Sequence, residues 1–250
     1  MTASRTIVVV PCYNEEERLD AGAFESFARA RPDVTFLFVD DGSRDGTHDL
    51  LQRIVQRHPG HFALLALDQN RGKAEAVRQG LLDACRRGAK YAGFWDADLA
   101  TPLDELPGFV ALLDEKPHLE MVFGSRVKLL GRFIHRKTAR HYFGRGFATL
   151  AALALGLPLY DTQCGAKLFR VSPRFEGLLQ DRFIGGWIFD VEIVARAIRS
   201  RRGTSLPPVR DVIYEHPLTA WRDVDGSKVS ALDIPFVACS LARIYWRYLR

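Results

Sequence analysis

Two carboxylates one residue apart, Asp96 and Asp98, follow an apolar run that ends at Trp95. In a β-strand, residues i and i+2 point to the same face, so both carboxylates can reach one divalent cation just past the carboxyl end of the strand. A cation held there could bind a diphosphate. Acidic pairs at strand ends also form turns and cap helices, so this pattern alone leaves a metal site and a turn both open.

Short apolar runs alternate with helix-like segments through the first half of the chain. The runs lie at residues 7–10, 34–39, 62–67, 91–95 and 121–123, and the helical patterns at 15–30, 45–57, 73–87 and 103–114. This βαβ alternation predicts an α/β fold, with a Rossmann-like, mostly parallel sheet flanked by helices. Ligands of such sheets bind in the crevice at the carboxyl ends of the strands, which is where the polar motifs fall.

Polar turns follow the predicted strands at that edge. Asp41 lies in the turn after the second strand, where it could help to cap a helix or accept hydrogen bonds from a base or a ribose. The turn Asn70-Arg71-Gly72-Lys73 opens a helix with a glycine and a cation, which suits a phosphate. The chain contains neither GxGxxG nor GxxxxGK[ST], which argues against a dinucleotide or P-loop site.

The composition is that of a folded globular protein: 250 residues, 47% of them hydrophobic, with a formal net charge of +5. That mild excess of cations is not by itself the signature of a nucleic-acid binder, and we expect no nucleic-acid partner. The four cysteines are far apart in sequence, without a CxxC pair, which predicts reduced thiols and a cytosolic location. The apolar segment 148–159 is too short to span a bilayer and predicts either a core helix or an interfacial one.

Five motifs that occur in order along the chain resemble the family-two inverting glycosyltransferases of the GT-A fold. They are Pro11-Cys12-Tyr13-Asn14-Glu15-Glu16, Val39-Asp40-Asp41-Gly42-Ser43, Asn70-Arg71-Gly72-Lys73, Asp96-Ala97-Asp98 and Gly124-Ser125-Arg126. Three later segments, at residues 161–169, 187–192 and 225–228, are similar to the polyprenyl-phosphate branch, most of all to the dolichyl-phosphate β-glucosyltransferases.

The resemblance implies a nucleotide-sugar donor and a divalent cation, Mg²⁺ or Mn²⁺. It implies that Asp96 lies near the sugar or ribose and that Asp98 holds the metal on the diphosphate. The nucleotide-binding residues that we expect are Pro11, Tyr13, Glu15, Asp41, Asn70 and Lys73. Related mannosyltransferases often carry a metal-binding glutamine two residues beyond the second aspartate, where this chain has Ala100, and this difference favours the glucosyl branch.

Three arginines, Arg126, Arg136 and Arg140, are candidates for binding the acceptor phosphate, because guanidinium groups bind phosphate in a bidentate manner. For Arg136, a solvated basic face is the alternative. A phosphate acceptor is already anionic at neutral pH, so its attack on the anomeric carbon needs no strong general base. Positioning and stabilisation of charge would then dominate catalysis.

Further acidic and amide candidates lie in the second half of the chain. Asp161 and Gln163 follow an apolar segment and could orient the acceptor or the sugar hydroxyls. Asp190 and Glu192 lie in an apolar helical pattern, where a buried acid costs several kcal/mol unless it is paired or hydrogen bonded. We expect Asp190 to face the sugar and to act with Asp96, Asp98 and Arg126, and the alternative is a structural ion pair with Lys167 or Lys228.

From residue 227 the chain is predicted to form one amphipathic helix to residue 250, after a GT-A catalytic domain at residues 1–226. Its aromatic and aliphatic residues are interleaved with arginines, as in helices that lie on a membrane surface, and a helix docked on the domain or on a partner is the alternative. Residues 129–137 combine basic and apolar side chains in a similar way. We therefore expect peripheral attachment to the cytosolic face of a membrane.

Taken together, these features predict an inverting transfer of a hexose, with glucose from UDP-glucose as the first expectation, to a polyprenyl or dolichyl phosphate. Transfer of mannose from GDP-mannose is the nearest alternative, since sugar choice depends on a few pocket contacts. A glycoside hydrolase would need carboxylates several ångströms apart and no nucleotide-binding motif. A non-catalytic nucleotide-sugar binding module would not need Asp96, Asp98 and Arg126 to be intact.

Overall fold

The computed structural model describes residues 6–135, 138–224 and 234–250, and the side chains of all these residues except 138–143, 234 and 235. The strands are β1 (Thr6–Cys12), β2 (Val34–Asp40), β3 (Phe62–Ala66), β4 (Tyr91–Trp95), β5 (Met121–Ser125), β6 (Phe133–His135), β7 (Ala166–Arg170), β8 (Ile213–Pro217) and β9 (Ala220–Arg222). The helices are α1 (Ala21–Ala30), α2 (Thr47–Arg57), α3 (Lys73–Arg86), α4 (Leu106–Glu115), α5 (Thr138–Leu155), α6 (Pro173–Leu178), α7 (Phe189–Arg199), α8 (Val209–Val212) and α9 (Ile234–Ile244).

The chain divides into two compact units. Unit 1 comprises Met1–Leu99 and Gly165–Arg182, and unit 2 comprises Ala100–Cys164 and Phe183–Arg250. Unit 1 therefore contains β1 to β4 and β7, whereas unit 2 contains the remaining strands and the long helices α5, α7 and α9.

The sheet of unit 1 has the strand order β3-β2-β1-β4-β7. The first four strands are parallel and β7 is antiparallel to β4, so the mostly parallel sheet expected from the sequence is confirmed. Both faces of the central strands are covered, and all residues from Thr6 to Val10 are buried. Such two-sided burial explains why these strands are continuous apolar runs rather than alternating ones.

Aromatic packing and one glycine fix the helices on this sheet. The Phe24 ring of α1 meets Phe36 and Phe38 of β2 edge to face, with centroids 5.1 and 5.4 Å apart. On α3, a Cβ atom at Gly80 would lie only 2.4 Å from Cγ1 of Val9. The absence of a side chain at position 80 therefore allows α3 to pack directly onto β1.

Unit 2 is built on two parallel strand pairs, β5 with β8 and β6 with β9. Helix α7 packs against α9 and against the π-helical turn Tyr245–Leu249 that follows it. Glu192 of α7 is fully buried and accepts hydrogen bonds from Arg196, from the Tyr248 hydroxyl and from the backbone N–H groups of Ile184 and Gly185. This carboxylate joins the C-terminal turn to the segment that precedes α7.

Several predicted helices begin later or are divided. Helix α1 begins at Ala21 rather than near residue 15, because Asp20 caps it by accepting a hydrogen bond from the Ala23 N–H at 2.9 Å. Residues 103–105 form a 3₁₀ turn before α4. Residues 225–233 lie outside the described residues, and they include the motif at 225–228 and the first part, from residue 227, of the predicted C-terminal amphipathic helix. The rest of that predicted helix forms α9 and the π-helical turn. None of the helices in the described ranges is long and apolar enough to cross a bilayer.

The Glu105 carboxylate stabilises the turn between β8 and β9 through hydrogen bonds. It accepts hydrogen bonds from the backbone N–H groups of Thr219 (2.6 Å) and Ala220 (3.0 Å) and from the Thr219 hydroxyl, and His216 lies 3.6 Å away. Burial alone would raise the pKa of Glu105, but these hydrogen bonds outweigh it and lower the pKa from 4.5 to about 2. The ionised carboxylate therefore stabilises the fold above pH 4.5, and this contribution is lost as the pH falls towards 2.

The variant Glu105→Gln should lower the free energy of unfolding by roughly 2 kcal/mol at pH 7, because the amide cannot replace a charged acceptor of several hydrogen bonds. The difference from the wild type should shrink between pH 4.5 and pH 2, as measured by urea denaturation. Glu115→Gln, at an exposed position on α4, serves as the control and should change little. A pH-independent difference would contradict a role for the charge.

Candidate functional site

The polar turns of unit 1 meet at the carboxyl ends of β1, β2 and β4. Asn14, with a positive φ of 53°, donates its N–H to Ser43 Oγ at 3.1 Å and accepts the Arg44 N–H on Oδ1 at 2.9 Å. The Glu15 N–H donates to Thr47 Oγ1 at 2.8 Å. These contacts join the turn after β1 to the turn after β2, so that the two predicted nucleotide motifs form one surface.

Asp41 is buried and holds the turn that leads into α3. Its two carboxylate oxygens accept the backbone N–H groups of Arg71 and Gly72, each at 2.8 Å. Gly42 has a φ of 65°, and a Cβ atom there would lie 2.6 Å from the Asn70 nitrogen, so this close approach requires glycine. Burial raises the pKa of Asp41, although these two backbone hydrogen bonds lower it. Asp41 thus has a structural role, and its contact with the nucleotide stays a prediction.

The turn held by Asp41 brings Lys73 to Asp96. The Lys73 Nζ lies 2.5 Å from Asp96 Oδ1, so a predicted phosphate-binding cation and a predicted catalytic carboxylate form an ion pair. The Asp96 N–H donates to the Gly165 carbonyl at 3.0 Å. A Cβ atom on Gly165 would lie 1.9 Å from Asp96 Oδ2, so only glycine leaves room for this carboxylate.

Asp98 lies beside Arg18, a residue that the sequence did not single out. The Arg18 Nη2 is 3.6 Å from Asp98 Oδ2, and its Nε is 3.6 Å from Glu15 Oε2. The Asp98 side chain is 26% exposed and therefore accessible from solvent. Among the described residues, no group of three or more His, Cys, Asp and Glu side chains could hold a metal. A hard cation at Asp98 would take its other ligands from phosphate oxygens and water, as Mg²⁺ commonly does.

The remaining predicted donor residues line the same edge. Pro11 is paired with Val39 across β1 and β2, Tyr13 is half-buried and Asn70 is exposed at the start of the turn that Asp41 holds. Between Pro11 and Tyr13, the Cys12 thiol is fully buried and donates to the Val10 carbonyl at 3.4 Å. Burial, with the nearby charges of Glu15 and Asp40, raises the pKa of Cys12 well above its ordinary value.

In unit 2, Arg126 and Asp161 form a bidentate ion pair. The Arg126 Nε and Nη2 lie 2.6 and 2.7 Å from the two carboxylate oxygens of Asp161, and the Arg126 N–H also donates to Oδ2. The guanidinium lies over the Trp221 ring, 5.2 Å from its centroid, and the Gln163 N–H donates to Asp161 Oδ1 at 3.2 Å. Three predicted acceptor residues are therefore brought together, and phosphate binding by Arg126 stays a prediction.

Glu215 on β8 fixes the turn that carries Asp161. Its carboxylate oxygens accept the N–H groups of Tyr160 and Asp161, each at 2.7 Å. Glu215 was not among the residues predicted from the sequence, in which no strand was expected at residues 213–217. Because it fixes the backbone at position 161, Glu215 orients the Asp161 carboxylate towards Arg126.

The two acids of α7 have different surroundings. Asp190 is the second residue of the helix and is 5% exposed. Glu192 forms an ion pair with Arg196 that the sequence did not predict, and its Oε1 lies 2.7 Å from Arg196 Nη2. Of the partners considered for Asp190, Lys167 is fully buried in unit 1 over the Phe94 ring, and Lys228 lies outside the described residues. A sugar-facing role for Asp190 stays a prediction.

Two of the three predicted phosphate-binding arginines are not defined by the structure. Arg136 lies outside the described residues, and Arg140 belongs to α5 but its side chain is not among those described. The structure thus gathers the predicted donor residues in unit 1 and gathers Arg126, Asp161 and Gln163 in unit 2. Binding of the acceptor phosphate by Arg136 and by Arg140 stays a prediction.

Comparison with known proteins identifies the family of this chain. The family model described as glycosyl transferase family 2 matches residues 7–174. The dolichyl-phosphate beta-glucosyltransferase of Dictyostelium discoideum is 32% identical over 257 residues, which cover 97% of this chain and 74% of the relative. The enzyme of the same name from Saccharomyces cerevisiae is 33% identical over 267 residues, with the same two coverages.

A solved structure shows the same fold. Glucosyl-3-phosphoglycerate synthase from Mycobacterium tuberculosis, in complex with Mn²⁺, UDP-glucose and phosphoglyceric acid, aligns with a TM-score of 0.63 at 17% identity and covers 97% of this chain and 80% of its own. The GT-A fold implied by the sequence motifs is therefore confirmed. Because the family model matches well over half of the chain, in agreement with relatives of the same branch, the chain belongs to glycosyl transferase family 2 and is a glycosyltransferase.

Proposed function

We propose that this chain transfers glucose from UDP-glucose, with inversion and with a divalent metal, to a dolichyl or other polyprenyl phosphate. The observation that carries the proposal is the paired arrangement in unit 1, where Asp96 meets Lys73 and Asp98 meets Arg18 at the strand ends. The activity named for the two relatives, dolichyl-phosphate beta-glucosyltransferase, supports the glucosyl group and the lipid acceptor.

The donor would bind through the carboxylates and the lysine of unit 1. Asp98 offers hard oxygen ligands that suit Mg²⁺ or Mn²⁺. The Arg18 guanidinium lies beside this carboxylate and adds a positive charge to the site. The metal would neutralise charge that develops on the departing diphosphate. Lys73 would contribute a second positive charge to the phosphates, and Asp96, fixed by the Gly165 carbonyl, would bind hydroxyl groups of the sugar or ribose.

The acceptor would be held by residues of unit 2. A polyprenyl phosphate is a nucleophile without deprotonation by the protein, so these residues would have to bind and orient it rather than activate it. Arg126 is fixed by two hydrogen bonds from its guanidinium to Asp161, which leaves it little rotamer freedom. We assign the acceptor phosphate to Arg126, with Arg136 and Arg140, and the hydroxyl contacts to Asp161, Gln163 and Asp190.

A lipid acceptor requires the enzyme to reach a membrane. In the described part of the chain, every large hydrophobic side chain that is clearly exposed belongs to unit 2: Leu129, Leu130, Phe133, Leu150, Leu153, Trp187, Phe236, Tyr245 and Trp246. At the C-terminus, the Arg250 guanidinium lies 4.2 Å from the centre of the Trp246 ring. Aromatic rings beside cations favour the interface of anionic lipids, so we propose peripheral attachment to the cytosolic face of a membrane.

Transfer should be measured with labelled UDP-glucose or GDP-mannose, a short polyprenyl phosphate and Mg²⁺ or Mn²⁺. We expect lipid-linked glucose that disappears with chelator, and a loss of about 100-fold in Asp98→Asn, since one metal ligand is removed. Asp104→Asn, at an exposed position, is the matched control and should retain activity. Transfer of mannose but not glucose would show that GDP-mannose is the donor. Full activity of Asp98→Asn would exclude a metal-binding role for Asp98. Donor binding without transfer would indicate a binding module.

Gly165→Ala tests the placement of Asp96. The added methyl group would overlap Asp96 Oδ2, so the carboxylate must move, and we expect kcat/KM to fall by about 10-fold to 100-fold. Thermal denaturation should accompany the kinetics, so that a loss of folding is recognised. The matched control is Gly177→Ala on α6, where a Cβ atom meets nothing within 4 Å. Wild-type activity of Gly165→Ala would show that the position of Asp96 is not critical.

Flotation with liposomes tests membrane attachment. The protein should co-migrate with vesicles that contain phosphatidylserine and less with pure phosphatidylcholine, because the arginines near Trp246 gain about 1 kcal/mol each near an anionic surface. Trp246→Ser should weaken co-migration about tenfold, since an exposed indole is lost from the interface. Equal binding of both proteins to both kinds of vesicle, or no binding at all, would count against the proposal.

A further inference from the structure

A groove with a volume of about 460 Å³ lies along the C-terminal half of α5 in unit 2. Its walls come from the helix and from the chain that follows it, and they include Arg145, Ala152, Leu153, Leu157, Pro158 and Tyr160. The volume is within the range of small-molecule sites. The groove is thus apolar along most of its length, with a cation at one position.

The groove owes its shape to the end of α5. Gly156, with a φ of 63°, donates its N–H to the Leu153 carbonyl at 3.2 Å, and the Leu157 N–H donates to the Ala152 carbonyl at 3.1 Å. This is the pair of bonds of a Schellman cap, which reverses the chain at a glycine. The following residues therefore return along the helix and form the second wall.

The polar end of the groove is held by Arg145. Its Nη1 donates to the Tyr160 carbonyl at 3.0 Å, and its guanidinium lies 3.7 Å from the centre of the Tyr160 ring. None of the carboxylates in the described part of the chain forms an ion pair with Arg145. Its positive charge is therefore not neutralised by any carboxylate of the described residues, and an anion would meet it at the wall of an apolar groove.

The rest of the lining offers little to a sugar or a nucleotide. The Thr149 hydroxyl donates to the Arg145 carbonyl at 2.9 Å, so its proton is already used within the helix. Leu153 borders the groove and remains 74% exposed, so its apolar side chain is accessible to an apolar ligand there. The lining therefore suits a ligand that combines a hydrocarbon chain, for the apolar side chains, with an anionic group, for Arg145.

One lining residue of the groove, Tyr160, directly precedes Asp161 of the acceptor group in the chain. The Glu215 carboxylate accepts the N–H groups of both residues. Asp161 in turn forms the ion pair with Arg126. The wall of the groove and the group assigned to the acceptor phosphate are therefore joined through adjacent residues of one turn.

We propose that this groove binds the first isoprenoid units of the polyprenyl-phosphate acceptor, with Arg145 at the end nearest the phosphate. The inference rests on the proposed function, because it presupposes a lipid-linked acceptor. It goes further in assigning the acceptor chain to a protein groove of defined residues rather than to the bilayer alone. The enzyme should then distinguish acceptors by the length of chain that the groove can cover.

The test compares two exposed leucines on the same helix in detergent solution. Leu153 lines the groove, whereas Leu150 does not, and both are mainly exposed, so Leu153→Asp and Leu150→Asp should both fold. We expect wild-type protein to prefer geranylgeranyl phosphate to geranyl phosphate. Leu153→Asp should reduce this preference about tenfold, the discrimination that a few lost methylene contacts give, and Leu150→Asp should leave it unchanged. Equal losses in both variants would indicate a general lipid surface and overturn the groove.

A binding experiment separates this inference from the proposed function. Geranylgeranyl phosphate with a photoreactive group on its chain should label residues 145–160 of the intact 250-residue chain. Excess geranylgeranyl phosphate, but not inorganic phosphate, should prevent this labelling. Labelling of these residues without any transfer activity would keep the groove and refute the proposed function. Active protein that is labelled only elsewhere would refute the groove and keep the proposed function.

Discussion

The Asp41 carboxylate is the contact on which the donor edge of unit 1 depends. Its two oxygens hold the backbone of Arg71 and Gly72, and these residues open the helix that carries Lys73. Lys73 reaches Asp96 only because that turn is fixed, and Asp96 keeps its position because Gly165 has no side chain. A buried carboxylate with two backbone donors is costly to replace, since each N–H would be left without an acceptor. The same residue can therefore be both structural and close to a ligand.

The sequence predicted the alternation of strands and helices in unit 1 well, because buried parallel strands are short apolar runs with polar turns at their ends. The start of α1 was wrong since residues 13–20 form a long turn, and only Asp20 marks the true boundary. The motif at Asp96 and Asp98 was visible for the same reason as the strands: both residues follow β4 directly. The local sequence pattern was therefore sufficient to predict the strands and helices of unit 1 and the position of Asp96 and Asp98 after β4.

The pairs that complete the site were not predictable from local pattern. Arg126 forms an ion pair with Asp161, 35 positions later in the chain. The Asp161 N–H is bound by Glu215, a further 54 positions along. Arg18 and Asp98 are farther apart still in sequence, and a charged residue in a loop gives no sign of the partner it will meet. Such contacts arise from the packing of elements, which hydrophobic periodicity does not encode. In the same way, the C-terminal π-helical turn is fixed by the hydrogen bond from the Tyr248 hydroxyl to the buried Glu192 carboxylate, 56 positions earlier in the chain.

The buried Cys12 thiol has a consequence for the donor edge that surrounds it. Its raised pKa keeps the sulfur protonated at neutral pH, because a thiolate would be desolvated and would lie among the charges of Glu15 and Asp40. The strand that ends beside the nucleotide motif thus carries a small, neutral and weakly polar atom. A diphosphate that approaches this edge meets no repulsion from sulfur, and an oxidant meets no reactive nucleophile there.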